Sequence, residues 1–521
     1  MNEDLLVKIQ EGVIGTGQVL DGPYGRRRLI YADHTASAQA LDLIEETIRR
    51  QVLPRYANTH TEASATGRYT GGLREQARAA VHRAVGGGPD DVVLFCGSGA
   101  TAAVNKLVGV LGLRTPRPDG RRPVVFVGPF EHHSNELPWR ESSADVVPIG
   151  ADERGRLDLD DLKRQLIRHA DRPLRIGTFS AASNVTGLLT DVNAIAELLH
   201  AHGALSFWDY AAAGPHRPIG MAGKDAVFLS PHKFPGGPQT PGVLVVRREL
   251  LRNAVPTAPG GGTVAFVDAT THDYVADPVA REEGGTPAIV ESIRAGLVFS
   301  LREAIGADLI AEREQEYWRR ARDRWRDIPE LMLLGDLDAD RLPIVSFLIR
   351  DGDRVLHHNF VVALLNDLFG IQSRGGCSCA GPYGHRLLGV DAERSARFRA
   401  AIGAGWAGVK PGWTRLSFSY LESPAVVDHI IEAVALIARY GRRLRPDYDF
   451  DARTGIWRHK SFVPAVVSLF DLMAAAPADE GPVGEEALEY ASRLLRGRPD
   501  PPYEAAGDLP PEVEDLRWFT R

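Results

Sequence analysis

Cysteine is scarce in this chain, which has three among its 521 residues, at Cys96, Cys377 and Cys379. Three thiols are too few for a disulfide framework in a chain of this length. The sequence therefore excludes a small disulfide-rich secreted scaffold. Any chemistry of these cysteines has to be catalytic, redox or incidental.

An excess of positive charge is also missing. The 61 lysines and arginines are outnumbered by 68 aspartates and glutamates, which gives a formal net charge of -7. This charge provides no electrostatic reason to expect a nucleic acid partner. Two local arginine clusters, within residues 26–28 and 114–122, are interpreted as solvated loops.

Long hydrophobic runs are absent as well. The N-terminus, residues 1–12, is acidic and lacks the basic start and apolar stretch of a secretory signal, which predicts a cytoplasmic protein. The longest apolar stretch near the C-terminus, residues 462–478, has Asp471 in its middle and a proline near each end. This pattern predicts a buried helix and no membrane span.

What is present, from about residue 75 to 250, is an alternation of apolar strands and amphipathic helices. Continuous apolar strands separated by helices predict an α/β fold with a mostly parallel sheet covered on both faces. Polar residues follow the strand ends, where open α/β sheets place their binding sites. The predicted strands are VVLF (92–95), VVFV (124–127), LRIGTFS (174–180), ALSFWDY (204–210), AVFLS (226–230) and GVLVV (242–246).

A second domain is predicted after the long helix at residues 291–306, because strand and helix patterns mix at 342–349, 361–370 and 414–420. From about residue 445 the chain is proline-rich and acidic, which predicts one or two surface helices joined by irregular chain. The expected organisation is an N-terminal arm, a large domain, a small α/β domain on which the N-terminal segment packs, and an extension, at residues 1–24, 25–290, 291–444 and 445–521.

Lys233 is the strongest candidate for chemistry. It follows the apolar strand of the run DAVFLSPHKFPGG (225–237) and precedes two glycines. A lysine at the carboxyl end of a buried strand can be partly desolvated, which lowers its pKa and leaves a neutral amine able to form an imine. The alternative interpretation is an ordinary exposed loop lysine.

Neighbouring strand ends supply the groups that pyridoxal 5'-phosphate requires. Backbone amides near Gly99, Ala100 and Thr101, where a glycine-rich turn enters a helix, could bind a phosphate. Asp209 at the end of a strand could pair with the ring nitrogen, and His132 could stack on the ring. Taken singly, a loop-capping aspartate and a core histidine remain the structural alternatives.

Ten ordered segments across residues 25–440 resemble the class V aminotransferase branch of fold-type I pyridoxal phosphate enzymes, most of all the group II cysteine desulfurases and selenocysteine lyases. Ten segments in order are far more specific than any one motif. They are YADHTASAQ (31–39), NTH (58–60), GATAAVN (99–105), EHHSNELPW (131–139), SNVTG (183–187), WDYAAAGPH (208–216), SPHK (230–233), REEGGTPA (281–288), RGGCSCA (374–380) and RLSFSY (415–420).

The resemblance implies a cofactor site completed by a second copy of the chain. Lys233 would form the imine with pyridoxal 5'-phosphate, Asp209 would pair with the pyridinium, and Thr286 would reach the phosphate from the neighbouring subunit. That last role implies a homodimer. The remaining cofactor contacts implied are His132 over the ring, Asn184 near the ring hydroxyl, and Ala100, Thr101, Ser230 and His232 at the phosphate.

The resemblance further implies the reaction. Cys379 would attack the sulfur, or selenium, of L-cysteine or a related amino acid, form a persulfide and release alanine, with a sulfur-acceptor protein as an implied partner. Arg415 would bind the substrate carboxylate, because a guanidinium fork fits a carboxylate, and Arg374, His60 and His34 are further expected substrate contacts. No metal, nucleic acid or membrane partner is expected.

Several departures from the family pattern keep other reactions open. Cys377 forms a Cys-x-Cys pair with Cys379, and residues two apart on an extended segment point to one face, so the pair could relay a persulfide, form a disulfide, ligate a metal or be incidental. Ala212 replaces a glutamine, Thr61 replaces an arginine, and an insertion spans residues 381–413. The alternative function is an aminotransferase, epimerase or C–S lyase acting on a specialised metabolite.

Overall fold

The computed structural model describes residues 2–465, 467–474, 486–501 and 509–520. In the first part of the chain, short N-terminal elements precede a long run of alternating strands and helices. In chain order they are α1 (Asn2–Glu11), β1 (Val19–Leu20), β2 (Arg27–Arg28), β3 (Ile30–Tyr31), α2 (Asp42–Thr47), α3 (Ala65–Ala84), β4 (Asp91–Phe95), α4 (Gly99–Val110), β5 (Val124–Val127), α5 (Leu137–Arg140), β6 (Asp145–Pro148), α6 (Leu159–Arg168), β7 (Arg175–Ser180), α7 (Val192–Ala201), β8 (Leu205–Asp209), β9 (Ala226–Leu229), β10 (Val243–Arg247), β11 (Val264–Val267), β12 (His272–Tyr274), α8 (Pro278–Glu282) and α9 (Ile289–Ile305).

Seven of these strands form one sheet in the order β4-β10-β9-β8-β7-β5-β6. The pairs from β9 to β6 are all parallel, whereas β10 runs antiparallel to both of its neighbours. The predicted mostly parallel α/β sheet is therefore confirmed, and each of the six predicted strands is present. The strand β6 escaped prediction because it is a partly exposed edge strand that ends in a proline and lacks a continuous apolar run.

Both faces of the sheet are covered. The side chains of β10 alternate between two hydrophobic cores, one on each face of the sheet. Val243 and Val245 point into the core shared with α3, α6, α7 and α9. Leu244 and Val246 point into the opposite core, which contains α4 and Trp139. A strand buried on both faces needs apolar residues at every position, and this explains the unbroken apolar runs of the sequence.

The second part of the chain builds another α/β unit. Its elements in chain order are α10 (Ala307–Trp325), β13 (Leu331–Leu333), β14 (Ile344–Asp351), β15 (Arg354–Leu356), α11 (His358–Phe369), β16 (Ile371–Gln372), β17 (Arg374–Gly376), α12 (Gly381–Leu387), α13 (Ala392–Gly403), β18 (Trp413–Ser417), α14 (Pro424–Tyr440), β19 (Tyr448–Asp451), β20 (Ile456–His459), α15 (Leu469–Ala474), α16 (Ala487–Gly497), α17 (Pro511–Glu514) and β21 (Phe519–Thr520).

Its sheet has the order β17-β18-β14-β15-β21, with β13 also paired to β14. Helices α10, α11 and α14 bury their apolar faces against it. The predicted helix at residues 291–306 is present as α9, but its buried side chains lie in the core of the large sheet. The core of the second unit therefore begins with α10. The N-terminal segment reaches this unit, since β3 pairs with β16.

The C-terminal extension is more ordered than the predicted helices and irregular chain. β19 and β20 form an antiparallel hairpin, and β21 adds a parallel edge strand to β15. Phe519 of β21 is fully buried and packs against His357 and Phe450, with ring centroids 4.5 and 5.2 Å apart. Aromatic side chains at the very end of the chain thus tie the extension to the second unit.

The expectation of a buried helix across residues 462–478 is wrong for the residues that the structure describes there. The helix α15 is six residues long, and Leu469, Phe470 and Met473 are 86%, 75% and 77% exposed. A helix this short covers little surface. Its apolar side chains belong to none of the buried clusters of the described residues and point to solvent. None of the described helices combines the length and apolar character needed to cross a membrane.

Replacing Phe519 tests whether the extension is a structural part of the second unit. We expect Phe519→Ala to lower the free energy of unfolding by about 3 to 5 kcal/mol, because it empties a fully packed aromatic site. Phe470→Ala, at a side chain that is 75% exposed, is the matched control and should change stability little. Denaturant titration followed by tryptophan fluorescence measures both. Equal effects of the two substitutions would contradict the structural role of β21.

Candidate active site

A cavity of about 460 Å³ opens at the carboxyl ends of the central strands, between the large sheet and the strands β17 and β18. Parallel strands bring the residues that follow them to one edge of the sheet, so groups distant in sequence meet there. Eleven residues predicted for the site line this cavity: Ala100, Thr101, His132, Asn184, Asp209, Ser230, His232, Lys233, Arg374, Cys379 and Arg415.

Lys233 enters the cavity from a short turn that follows β9. Its backbone N–H donates to the Ser230 carbonyl at 3.0 Å, which fixes the turn. Its Nζ has no hydrogen-bond or ion-pair partner among the described residues. Burial lowers the pKa of Lys233 to about 8, and the charge of Asp209 partly opposes this shift. With this pKa, about a tenth of the amine is unprotonated at pH 7 and about half at pH 8, and the unprotonated fraction is the nucleophile.

Asp209 is the last residue of β8 and is 4% exposed. Its Oδ1 accepts a hydrogen bond of 2.8 Å from the Ala211 N–H. Burial raises its pKa, while that hydrogen bond and the charge of Lys233 act in the opposite direction. A buried carboxylate with one backbone donor is incompletely compensated, so it favours a positively charged or N–H-bearing ligand.

An anion cradle lies at the N-terminus of α4. Ser98 occupies the N-cap position, but its side chain makes no capping hydrogen bond, so amides of the first turn other than that of Ala100 are left for another acceptor. Gly99 has φ +55, and a Cβ added there would stand 2.9 Å from His232 Cε1. Glycine is required at this point because the backbone turns left-handed beside the His232 ring. Ser230 Oγ accepts from the Ala100 N–H at 2.9 Å.

His132 is neutral in this site. Burial, together with the nearby charges of Lys233 and Arg415, lowers its pKa to about 3. The Ser134 backbone N–H donates to its Nδ1 at 3.1 Å, which leaves the ring proton on Nε2. Ser134 Oγ also lies 2.6 Å from Thr101 Oγ1. The histidine is thereby linked to the anion cradle, a link that sequence inspection missed because Ser134 belongs to an ordinary polar turn.

Asp33 joins the two predicted substrate arginines. Its Oδ1 accepts from Arg415 Nη2 at 3.1 Å, and its Oδ2 accepts from Arg374 Nε at 3.0 Å. Arg415 Nη1 donates to the Asn184 carbonyl at 3.0 Å. Its Nε is buried and has no hydrogen-bond partner among the described residues. Sequence reasoning missed Asp33, although it stands within the segment YADHTASAQ, because 341 residues separate it from Arg374.

Cys379 sits on a strained tight turn. Ala380 N–H donates to the Cys377 carbonyl at 3.1 Å, and both intervening residues are left-handed, with φ 52 at Ser378 and φ 56 at Cys379. Two positive φ values define a type I′ turn, which costs of order 1 to 3 kcal/mol per non-glycine residue. Asn184 Nδ2 stabilises it by donating to the Ser378 carbonyl at 2.8 Å.

The turn separates the two thiols that the sequence placed on one face. That expectation assumed an extended segment and is wrong, because two left-handed residues reverse the chain. Cys379 is exposed in the cavity described above, whereas Cys377 is half-buried and lines a different cavity. Arg415 lines the same cavity as Cys379. Both thiols are free.

Three predicted site residues lie outside this cavity. His34 Nε2 is 3.2 Å from Glu422 Oε1 on the far side of the N-terminal segment. His60 is exposed and lines another surface cavity beside Gly262. Thr286 is also exposed, and its Oγ1 accepts from Asn58 Nδ2 at 3.1 Å. The segments that carry His60 and Thr286 therefore contact one another at the surface of a single chain.

One further buried carboxylate, Glu131, was also missed by the sequence analysis. It accepts hydrogen bonds from Ser180 N–H, Ser180 Oγ and Asn135 Nδ2, at 2.9, 2.7 and 2.7 Å. Burial raises its pKa to about 7, and the charge of Asp209 adds to this shift. In the sequence, Glu131 stands beside His132 and His133, and nothing in that segment indicates a buried carboxylate.

The chain is similar to known proteins over most of its length. A family model described as aminotransferase class-V matches residues 30–424, which include every residue that lines the cavity. A cysteine desulfurase of Klebsiella pneumoniae is 30% identical over 377 residues, covering 70% of this chain and 87% of that protein. A probable cysteine desulfurase of Staphylococcus aureus is 31% identical over 401 residues, covering 74% and 91%. The apo structure of a cysteine desulfurase from Thermococcus onnurineus has a TM-score of 0.67 at 25% identity, covering 79% of this chain and 95% of that chain.

The pKa of Lys233 predicts a specific pH dependence of stability. Between about pH 8 and about pH 10.4, the ordinary lysine value, the unfolded chain binds the Lys233 proton and the folded chain does not. The stability of the wild-type protein therefore gains from this group as pH rises through that window. We expect Lys233→Met to remove the gain, so its advantage over wild type is largest at pH 7, up to about 3 kcal/mol, and disappears near pH 10.4.

Urea denaturation of the protein freed of bound small molecules measures this difference. Lys163→Met, which replaces an exposed lysine of α6, is the matched control for loss of a positive charge. A stability difference between Lys233→Met and wild type that stays constant from pH 7 to about pH 10.4 would contradict the depressed pKa.

Proposed function

The chain belongs to the class V aminotransferase family, whose members are pyridoxal phosphate enzymes, and from this premise we propose that it is a cysteine desulfurase acting through Cys379. The observation that carries the proposal is the position of the Cys379 thiol. A strained turn exposes this thiol in the same cavity as the amine of Lys233, whose pKa burial lowers to about 8. A nucleophilic thiol and an imine-forming amine facing one space are what desulfuration requires.

The residues present fit pyridoxal 5'-phosphate. The uncapped N-terminus of α4, with Gly99 in its left-handed turn, offers amides to a phosphate. Asp209 offers a buried and incompletely compensated carboxylate to a protonated ring nitrogen. Lys233 Nζ is free to bind covalently. We assign these three groups, with Ser230, His232, Thr101, His132 and Asn184, to holding the cofactor, which when bound supplies an electron sink for bonds at the substrate α-carbon.

Arg415 and Lys233 prepare the substrate. The Arg415 Nε is the buried donor left without a partner, so it can bind the α-carboxylate while Asp33 and the Asn184 carbonyl hold the rest of the guanidinium in place. Lys233 Nζ, with a pKa of about 8, can accept and return a proton near neutral pH. Closure of the site by the second unit, which carries Arg415, reduces competing water.

Cys379 performs the sulfur transfer. Its thiolate attacks the sulfur atom of L-cysteine, the carbon–sulfur bond breaks, and the sulfur remains on Cys379 as a persulfide. The electron pair of the broken bond stays with the substrate carbon, which gains a proton, and the product is alanine. Selenocysteine would react in the same way.

We further propose a cytoplasmic homodimer. The segments that carry His60 and Thr286 lie together on the surface, away from the cavity of their own chain. A partner copy that placed them over the cavity would supply the phosphate contact from Thr286 and a substrate contact from His60. A sulfur acceptor is then needed to remove the persulfide sulfur and free Cys379 for another turnover.

Replacing the nucleophile tests this proposal. With L-cysteine and a reducing thiol, we expect Cys379→Ser to form alanine roughly 10³-fold more slowly than wild type, since the substitution removes the attacking atom. Cys96→Ala is the matched cysteine control. Cys96 lies outside the cavity, and burial raises its pKa to about 12, so it does not act as a thiolate. Quantifying alanine by chromatography provides the rate.

The same experiment separates the alternative reactions. Ala212 lines the cavity and leaves space where the family carries a glutamine, so an aminotransferase or epimerase acting on a larger substrate has to be tested. Unchanged alanine formation in Cys379→Ser would overturn the persulfide role. Incorporation of solvent deuterium at the α-carbon of an amino acid, without release of sulfur, would favour the alternative.

A further inference from the structure

A second cavity, of about 400 Å³, lies on the other side of the cysteine turn. Its walls come largely from residues 381–413, the insertion that separates Cys379 from Arg415, which folds into the helices α12 and α13. Cys377 and His133 form its inner wall. The His133 backbone N–H donates to the Cys379 carbonyl at 2.9 Å, so the wall of the second cavity is also the support of the reactive turn.

Cys377 and Cys379 belong to the same four-residue turn. Cys377 and Cys379 are two residues apart, so their Cα atoms are separated by at most about 7.6 Å, and by less in a turn. Disulfide-forming pairs have Cα atoms about 4.4 to 6.8 Å apart. The left-handed turn directs Cys379 to the first cavity and Cys377 to the second. A sulfur atom passed between them would therefore move from one cavity to the other.

The lining of the second cavity indicates the kind of molecule that it binds. Leu388, Phe398, Ile402, Pro411 and Trp413 supply apolar surface. Arg399 and Lys410 supply positive charge, and neither has an ion pair among the described residues. No aspartate or glutamate from the described part of the chain lines this cavity. Apolar walls with unpaired cations favour an anion with an apolar body.

Trp413 provides a fixed part of the cavity wall, because it is fully buried and packs against Gly384 of α12. His133 adds a polar ring in the same wall, fixed by the Gly381 N–H that donates to its Nε2 at 3.0 Å.

We propose that the second cavity is a sulfur-acceptor site, that Cys377 receives the sulfur from Cys379, and that the acceptor is a small thiol with an apolar body and an anionic group. The inference rests on the proposed desulfurase function, because that reaction supplies the Cys379 persulfide. The volume of the cavity, about 400 Å³, matches a small molecule and is the basis for choosing one over a protein segment as its occupant.

The transfer balances without an added oxidant or reductant. The Cys377 thiolate attacks the outer sulfur of the Cys379 persulfide, the sulfur–sulfur bond breaks, and Cys379 leaves as a thiolate ready for another substrate. The thiolate of the acceptor then attacks the outer sulfur on Cys377, which leaves in the same way. The acceptor gains one sulfur atom as a persulfide, and the oxidation state of the transferred sulfur is unchanged.

Two aromatic thiols of similar size test the site in the purified holoenzyme. The first, para-mercaptobenzoate, carries an anion, and the second, para-mercaptobenzyl alcohol, is neutral. With L-cysteine as donor, the measured quantity is the sulfur transferred to each thiol per alanine formed. We expect wild type to favour the anionic thiol by roughly two- to fivefold for each exposed cation that contacts it. Cys377→Ser should remove most of this preference.

Matched variants separate the site from general effects. Arg399→Gln and Lys410→Gln should each reduce the preference for the anionic thiol. Arg319→Gln replaces an exposed arginine of α10 that lines neither cavity and should leave the preference as in wild type. Protection of Cys377 from iodoacetamide by para-mercaptobenzoate, located by mass spectrometry, measures binding without reference to turnover.

Three outcomes have different meanings. Absence of alanine in wild type would contradict the desulfurase function itself. Normal alanine formation, with equal transfer to both thiols and no effect of Cys377→Ser, would overturn the acceptor site while leaving the desulfurase function intact. Transfer to a protein thiol alone, with no transfer to either aromatic thiol, would also overturn a small-molecule acceptor.

Discussion

A lysine amine that has little contact with water and no partner is destabilised in its charged ammonium form. The fold places Lys233 in such an environment. The central strands of the large sheet end around it, and the apolar cores on the two faces of that sheet limit the contact of Lys233 with water to the cavity side. Asp209 offsets part of this cost from the end of the adjacent strand, while burial dominates and keeps the pKa near 8. The chemistry of the cavity depends on this balance, because a fully protonated lysine could not act as a nucleophile.

The second unit completes the cavity by bringing a thiol and an arginine to that amine. The N-terminal segment connects the two units, since Ala38 N–H donates to the His232 carbonyl at 3.0 Å, and Ser417 N–H donates to the Ala32 carbonyl at 2.8 Å. Asp33, within the same segment, holds Arg415 and Arg374. A stretch of irregular chain thus sets the distance between the lysine turn and the cysteine turn. Positioning of this kind, by buried hydrogen bonds on loops supported by two sheets, preorganises a site at modest cost in stability.

Much of this arrangement could be predicted from the sequence, since unbroken apolar runs mark strands that are buried on both faces, and Lys233 and Asp209 follow such runs. Other features carried no local signal. Asp33 acquires its role from partners more than 300 residues away. The type I′ turn contains no glycine at its two left-handed positions, Ser378 and Cys379, so ordinary turn rules favour an extended segment there. The edge strand β21 depends on its pairing with β15, and the exposure of α15 follows from the absence of a packing partner among the described residues; periodicity reveals neither.

The most direct test of desulfuration through Cys379 is to identify the residue that carries the transferred sulfur. In the Cys377→Ser protein, Cys379 is the one cysteine left in its segment, so one turnover with L-cysteine in the absence of other thiols can be followed without ambiguity. We expect alanine in amounts equal to the active sites, together with one added sulfur atom on Cys379 in the tandem mass spectrum. Alanine formed while Cys379 remains a free thiol, or a modified Cys379 without alanine, would contradict the proposal that this turn delivers the attacking nucleophile.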